Sequence, residues 1–184
     1  EQYAQRDKER LYINTAKTQI FTMSREPEDW IDRADEEFRR AVATDPRSSA
    51  AYYYMGRARM MNHEFQKAGR LFMRVLDLND EYLDQADREW KRVKTIQSAR
   101  PSTHRVEEAA LADRLTRSQA ALFLVDEINV EEMYRGLGIY DGTARQGEPV
   151  RDIEGHRYGS RIRLVIDAGV AGLELYPDGT FHPD

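Results

Sequence analysis

The residues able to do chemistry in this chain are few and scattered. Four histidines, His63, His104, His156 and His182, lie far apart, with none of the short spacings that bring two imidazoles onto one metal. Cysteine is absent, which removes disulfides and thiolate metal sites. Neither a glycine-rich phosphate loop nor a Gly-x-Ser-x-Gly nucleophile elbow occurs. Asp141-Gly142-Thr143 opens like a calcium loop, but the further acidic ligands do not follow. The run Asp35-Glu36-Glu37 falls on the polar side of a helix and reads as a solvated face. These absences predict a protein that is not an enzyme and that carries no cofactor and no metal. Arginine is what remains. After position 100 all nine basic residues are Arg, a forked cation that suits carboxylate or phosphate groups, although codon bias yields the same composition.

The elements that must position any such group follow from patterning. Hydrophobic residues make up 40 % and charged residues 33 % of 184, a balance that suits one or two folded domains with polar surfaces. Charge is uneven: residues 1–100 are near neutral, whereas residues 101–184 hold 15 carboxylates against 9 arginines. A nucleic-acid partner is not expected, because no basic patch appears. No apolar run is long enough to span a bilayer. The chain opens without an initiating Met or a signal peptide, so Glu1 is expected to begin a processed or trimmed chain.

Residues 1–24 predict a helix with apolar positions at Tyr3, Leu11, Ile13, Ala16, Ile20 and Phe21, broken by Ser24-Arg25-Glu26-Pro27. Asp29 is expected to cap the next helix, striped by Trp30, Ile31, Ala34, Phe38, Ala41 and Val42 and ended by Asp45-Pro46. Ser48 or Ser49 caps a third, which carries Tyr52, Met55, Gly56 and Met60; Asn62-His63 marks a turn, and Phe65, Ala68, Leu71, Phe72, Val75 and Leu76 stripe a fourth. A fifth runs from Glu81 to about Ser98, with Leu83, Ala86, Trp90, Val93 and Ile96 as its apolar positions. Positions 34 residues apart echo one another: Ala34 and Ala68, Phe38 and Phe72, Val42 and Leu76, Asp45 and Asn79. Gly56 and Ala68 are small enough for two helices to approach closely, with the aromatic filling the space beside them.

That period, with Tyr52-x2-Met55-Gly56, Ala68-x3-Phe72, Ala34-x3-Phe38 and Pro46, resembles the tetratricopeptide repeat (TPR). Arg59 stands where that pattern has Tyr, Asp80 where it closes on Pro, and Thr22 where the earlier unit has Gly. The resemblance covers about residues 14–82, and the fifth helix looks like the capping helix of such a stack. It implies a concave groove that holds a peptide or partner protein; the alternative is a spacer.

Ala99-Arg100-Pro101-Ser102-Thr103 reads as a linker, dividing the chain into domains 1–100 and 101–184. Thr103 caps a short helix. Leu111-Ala112-Asp113-Arg114-Leu115 leads to a second, where Thr116 is the cap and Gln119 completes a capping box. Ala120, Leu122, Phe123, Val125 and Ile128 are expected to face its core. Val130 to Val150, with Gly136, Gly138, Gly142, Gly147 and Pro149, reads as a long loop. Ile162, Val165, Ile166 and Ala168 stripe a last helix that Gly169 ends. Pro177-Asp178-Gly179 forms a sharp turn, with Gly179 free to take positive φ, and Thr180-Phe181 resumes an extended path.

Leu175-Tyr176-Pro177-Asp178-Gly179-Thr180-Phe181-His182-Pro183 resembles the signature loop of the S-layer homology (SLH) module. Leu115-Thr116-Arg117-Ser118-Gln119-Ala120 is similar to the Ile-Thr-Arg-Ala-Glu motif that ends such modules, with Gln119 for Glu. Val150-Arg151-Asp152-Ile153 looks like the opening of the next, followed by His156-Arg157-Tyr158 where the family has His-Trp-Ala. The resemblance covers about residues 111–184 and implies a small helical module with irregular loops that binds peptidoglycan or a secondary cell-wall polymer. Carried over, the wall-polymer candidates are Arg117, Asp152, Arg157 and Tyr158. Arg117 would pair with a polymer carboxylate or pyruvyl group, and Tyr158 would stack on a sugar face. The alternatives are an internal salt bridge for Arg117 and a helix cap for Asp152. A guanidinium at a helix N-terminus opposes the dipole, so a compensating anion is expected beside Arg117, either Asp152 or an acidic polymer.

The fold expected is mainly α: a TPR-like helical-hairpin array, then an SLH-like region holding the end of one module and an incomplete second. With the second module cut at Asp184, the Ile162, Val165 and Ile166 stripe needs a cover from the Thr116–Ile128 helix, the array or another chain. The function implied is a non-enzymatic protein of the bacterial cell envelope, in the periplasm, cell wall or outer-membrane-associated. It would anchor to the wall polymer and bind or space a protein partner. The alternative is a pure interaction scaffold without glycan binding; catalysis in a flanking domain is a third.

Overall fold

The structure, a computed structural model, describes residues 2–112, 114–143 and 150–184, with side chains from Gln5 onward. Asp113, Gly147 and Pro149, and the side chain of Tyr3, lie outside the described residues. Among the described residues the fold is mainly helical, with nine α-helices, a 3₁₀ turn and no strand. The chain divides into two compact units, Glu1–Arg100 and Pro101–Asp184.

The first unit holds α1 (Gln2–Ser24), α2 (Trp30–Thr44), α3 (Ser49–Met61), α4 (Phe65–Leu78) and α5 (Leu83–Ala99). Short connections fold α2 onto α1, α4 onto α3 and α5 onto α4, while α3 also packs on α1 and α2. The ends are set locally. Ser48 accepts the Ala51 N–H to start α3, and Asn79 takes the left-handed conformation that closes α4. The echoed positions coincide: Ala34 and Ala68 are both fully buried, and Asp45 and Asn79 are both C-caps. Gly56 faces Phe72 so closely that a Cβ there would lie 2.7 Å from the ring. Phe38 meets Tyr52 edge-on at 5.5 Å and joins α2 to α3.

Three expectations for this unit are corrected. Helix α1 buries Thr15, Thr18 and Thr22, while Ile13 and Ile20 are 49 % and 60 % exposed. The short threonines permit close approach to α2, and two satisfy their hydroxyls on backbone carbonyls: Thr22 donates to Thr18 O, and Thr18 to Asn14 O and Ala34 O. Asp29 precedes α2 without a side-chain cap, because its carboxylate accepts from Arg33 at 3.0 Å instead. In the acidic run only Glu36 stays solvated. Glu37 is buried and accepts from Arg40 at 2.6 Å, and Asp35 joins Arg39 and Arg59. Arg59 reaches Glu64 as well, at 2.5 Å, and so ties α2, α3 and the start of α4 together.

The second unit holds α6 (His104–Ala110), α7 (Arg117–Asp126), α8 (Val130–Gly136), a 3₁₀ turn (Arg151–Ile153) and α9 (Gly159–Ala168). Thr103 caps α6, the Thr116–Gln119 capping box starts α7, and Gly169 at φ +70° closes α9. The core gathers Leu122, Val130, Ile153, Ile162, Val165 and Phe181. Helices α7 and α8 cover the α9 stripe, with Ile162 and Val165 fully buried. Arg161 of α9 grips Asp126 of α7 at 3.1 Å.

Two further expectations give way here. The stretch from Val130 starts as α8, not as loop, because Asn129 turns the chain at φ +53° and delivers Val130 into the core. On α7, Leu122 is buried and Ala120, Phe123 and Val125 pack against the core as expected, but Ile128, beyond the last turn, is 54 % exposed and Ala121 is buried in its place.

Candidate functional site

Arg117 and Asp152 stand apart in sequence, yet both act on the segment that ends the second unit. Arg117 is the first residue of α7, and its side chain reaches the 172–181 loop. Its guanidinium donates to three carbonyls: Nε to Phe181 at 2.8 Å, Nη1 to Gly172 at 2.9 Å and Nη2 to Glu174 at 2.7 Å. It also lies over the rings of Tyr176 and Phe181, 4.9 and 4.6 Å from their centroids. The expected carboxylate partner Asp152 is replaced by carbonyl oxygens. These are partial negative charges held in a fork-matching array, and they compensate the guanidinium at the helix N-terminus.

Asp152 faces the same segment from the 3₁₀ turn. Its carboxylate accepts the backbone N–H of Phe181 at 2.9 Å and of His182 at 2.6 Å. Burial opposes its ionised form, but these N–H donors outweigh it and hold the carboxyl below its usual range. Ser118 N–H adds a 2.9 Å bond to Pro183 O, and His156 approaches Asp184 at 3.7 Å. Phe181, wholly buried, is the plug these bonds secure. The turn before it closes through Gly179 N–H to Tyr176 O, with Gly179 at φ +79°. Asp178 accepts both the N–H and the hydroxyl of Thr180, the arrangement Asp141 repeats with Thr143.

Arg157 and Tyr158 form a separate pair. Tyr158 is 4 % exposed and belongs to the core, so the ring expected to stack on a sugar face has no free face. Its neighbour Arg157 lies over it at 4.6 Å and grips Glu108 at 2.7 Å. That hydrogen bond pushes the guanidinium pKa further up. The four candidates therefore do not converge on one open groove. The exposed aromatic of this unit's final loop is Tyr176, 45 % exposed beside His182.

The first unit offers a true concavity. A cleft of about 540 Å³ runs along α1 and the start of α3, lined by Tyr12, Thr15, Gln19, Ser48, Tyr54 and Tyr82 among others. A second opening of about 270 Å³ continues from it, sharing Gln19 and Tyr54 and ending at Arg25, Arg57 and Met61. Tyr12 is 77 % exposed, and Met23 in the second opening is 74 % exposed. Tyr82 is held at φ +69°, strained for a bulky residue. It stacks on Tyr53 at 4.9 Å and brings its hydroxyl within 3.5 Å of the Tyr54 hydroxyl. That hydrogen bond, together with burial, raises the Tyr82 pKa.

The repeat resemblance implies a concave groove but neither its place nor its lining. Tyr12 sits off the apolar stripe of α1, and Tyr82 precedes α5; the one local signal is the tyrosine run Tyr52-Tyr53-Tyr54. No protein-family model, no curated protein and no solved structure matches this chain.

Proposed function

We propose that this chain is a non-enzymatic interaction scaffold of the bacterial envelope. Its first unit is a TPR-like array that holds a segment of a partner protein in the α1/α3 groove. Its second unit is an SLH-like module that serves as a compact structural body. The observation that carries this reading is the open, tyrosine-lined groove, set against wall-binding candidates that are all occupied by their own unit. Burying a partner side chain against Tyr12 and Tyr54 removes apolar surface from water, while Gln19 and Ser48 offer polar contacts that set orientation. No helix among the described residues is long and apolar enough to cross a membrane.

Wall attachment is the second reading, and the exposed Tyr176 with Asp178 and His182 beside it favours it: an aromatic face with polar groups at its edge suits a sugar ring. Sedimentation of the full chain with purified cell wall separates the two. The scaffold stays in the supernatant. Salt-sensitive pelleting that Tyr176→Ala abolishes and Tyr12→Ala leaves intact would establish the anchor instead.

A further inference from the structure

We infer that the second unit docks a basic, amphipathic segment of a partner protein on the apolar surface around α8. This site belongs to a different unit from the groove and goes beyond the peptide-holding role. Helix α8 has seven residues and is about 10 Å long, with Val130 in the core and Tyr134 packed against it. Around that short helix four large apolar side chains face solvent: Ile128 is 54 % exposed, Met133 45 %, Leu137 66 % and Ile139 61 %. Met133 and Leu137 lie one turn apart, on one flank of the helix. The chain then folds back, with the Ile139 and Tyr140 N–H groups both donating to Tyr134 O, which keeps Ile139 beside the helix end. Gly136 and Gly138 leave the backbone bare between them, since a Cβ at either would meet no atom within 4 Å. One exposed leucine needs no explanation, but four apolar side chains gathered on one short helix mark a docking surface.

Charge decides the occupant. Residues 127–141 hold four carboxylates, Glu127, Glu131, Glu132 and Asp141, against the one arginine Arg135, a net of −3. Arg135 pairs with Glu131 at 2.7 Å. Glu127 and Glu132 accept from neutral donors, the Ser102 N–H at 2.7 Å and the Asn129 amide at 2.6 Å. Asp141 accepts from the Thr143 N–H at 2.8 Å. Elsewhere in the unit carboxylates meet arginines: Asp126 meets Arg161, Glu108 meets Arg157 and Asp167 meets Arg163. An apolar surface with surplus carboxylates around it repels an anionic bilayer or an acidic segment and attracts Lys and Arg. A second copy docked face to face would bring the same negative charge to the contact. A segment that sets apolar residues against Met133, Leu137 and Ile139, with Lys or Arg on either side, satisfies both demands.

A phage-displayed library of random linear peptides, panned on the full chain and counter-selected on its Leu137→Ser variant, tests this. The enriched peptides should combine apolar residues with several Lys or Arg. A synthetic, fluorescently labelled copy should bind Leu137→Ser and Ile139→Ser at least about tenfold more weakly, as losing one buried aliphatic contact dictates. Both side chains are exposed, so the circular dichroism spectrum of each variant should be unchanged. Glu132→Gln should weaken binding by up to about fivefold and reduce its sensitivity to salt. Tyr12→Ala should bind the peptide as the wild type does, which keeps failure of this site distinct from failure of the groove. Enrichment of acidic or uncharged peptides, or of none that distinguishes Leu137→Ser, would overturn the inference. So would flotation with phosphatidylglycerol vesicles, or a dimer in sedimentation velocity, that Leu137→Ser abolishes.

Discussion

Replacing Gly56 by Ala isolates the contact that sets the spacing of α3 and α4. The added Cβ would sit 2.7, 2.9 and 3.1 Å from three atoms of the Phe72 ring. Carbon atoms prefer about 3.5–4.0 Å, so the overlap approaches 1 Å. Phe72 is wholly buried and has no space to retreat into. Such overpacking costs about 1–3 kcal/mol. Against it stands a gain of about 1 kcal/mol for Ala over Gly inside a helix. Gly69→Ala is the internal control: it lies within α4, and its Cβ would meet Val93 at an ordinary 3.6 Å. It takes the helix gain without the clash. The Gly56→Ala protein should therefore be about 1–3 kcal/mol less stable than the Gly69→Ala protein, read by urea unfolding followed by far-UV circular dichroism. In a domain of this size each kcal/mol moves the melting temperature by about 4–8 °C. Shortening the ring with Phe72→Leu should remove most of the Gly56→Ala penalty, a coupling that a double-mutant cycle measures. Equal stability of the two alanine variants would refute the close-packing argument.

Ala68→Leu should destabilise the first unit by about 1–3 kcal/mol, because Ala68 is fully buried; unchanged thermal stability would count against the repeat assignment. Arg117→Lys should lower the melting temperature of the second unit although charge is kept, since an ammonium does not span three carbonyls; the loss is about 1.5–3 kcal/mol, checked by calorimetry. Asp152 has a folded pKa depressed below the ordinary value of about 3.9, so its contribution is complete above that pH and disappears as pH falls through the folded value. Asp152→Asn should therefore destabilise at neutral pH and flatten the acid limb of the stability profile, measured by unfolding from pH 7 down to about 2.

What this chain's residues determine alone is local. The Thr116–Gln119 box, the Thr103 and Ser48 caps and the Gly169 stop each close hydrogen bonds within a few residues, so the neighbouring residue types suffice to locate them. The 34-residue echo of Ala34 with Ala68 is likewise legible, because small residues must recur wherever helix pairs of one period pack closely. Tertiary structure decided the rest. Arg117 ends on carbonyls 55 to 64 residues away, and Asp152 on N–H groups 29 and 30 residues away. No local pattern specifies a backbone acceptor, since every residue carries one. The burial of Thr18 and Glu37 escaped for a related reason: a polar group becomes interior when a partner helix or a cation takes up one of its hydrogen bonds, Ala34 O for Thr18 and Arg40 for Glu37. The groove belongs to this second class, because Tyr12, Tyr54 and Tyr82 become one surface only after α1, α3 and the start of α5 have packed.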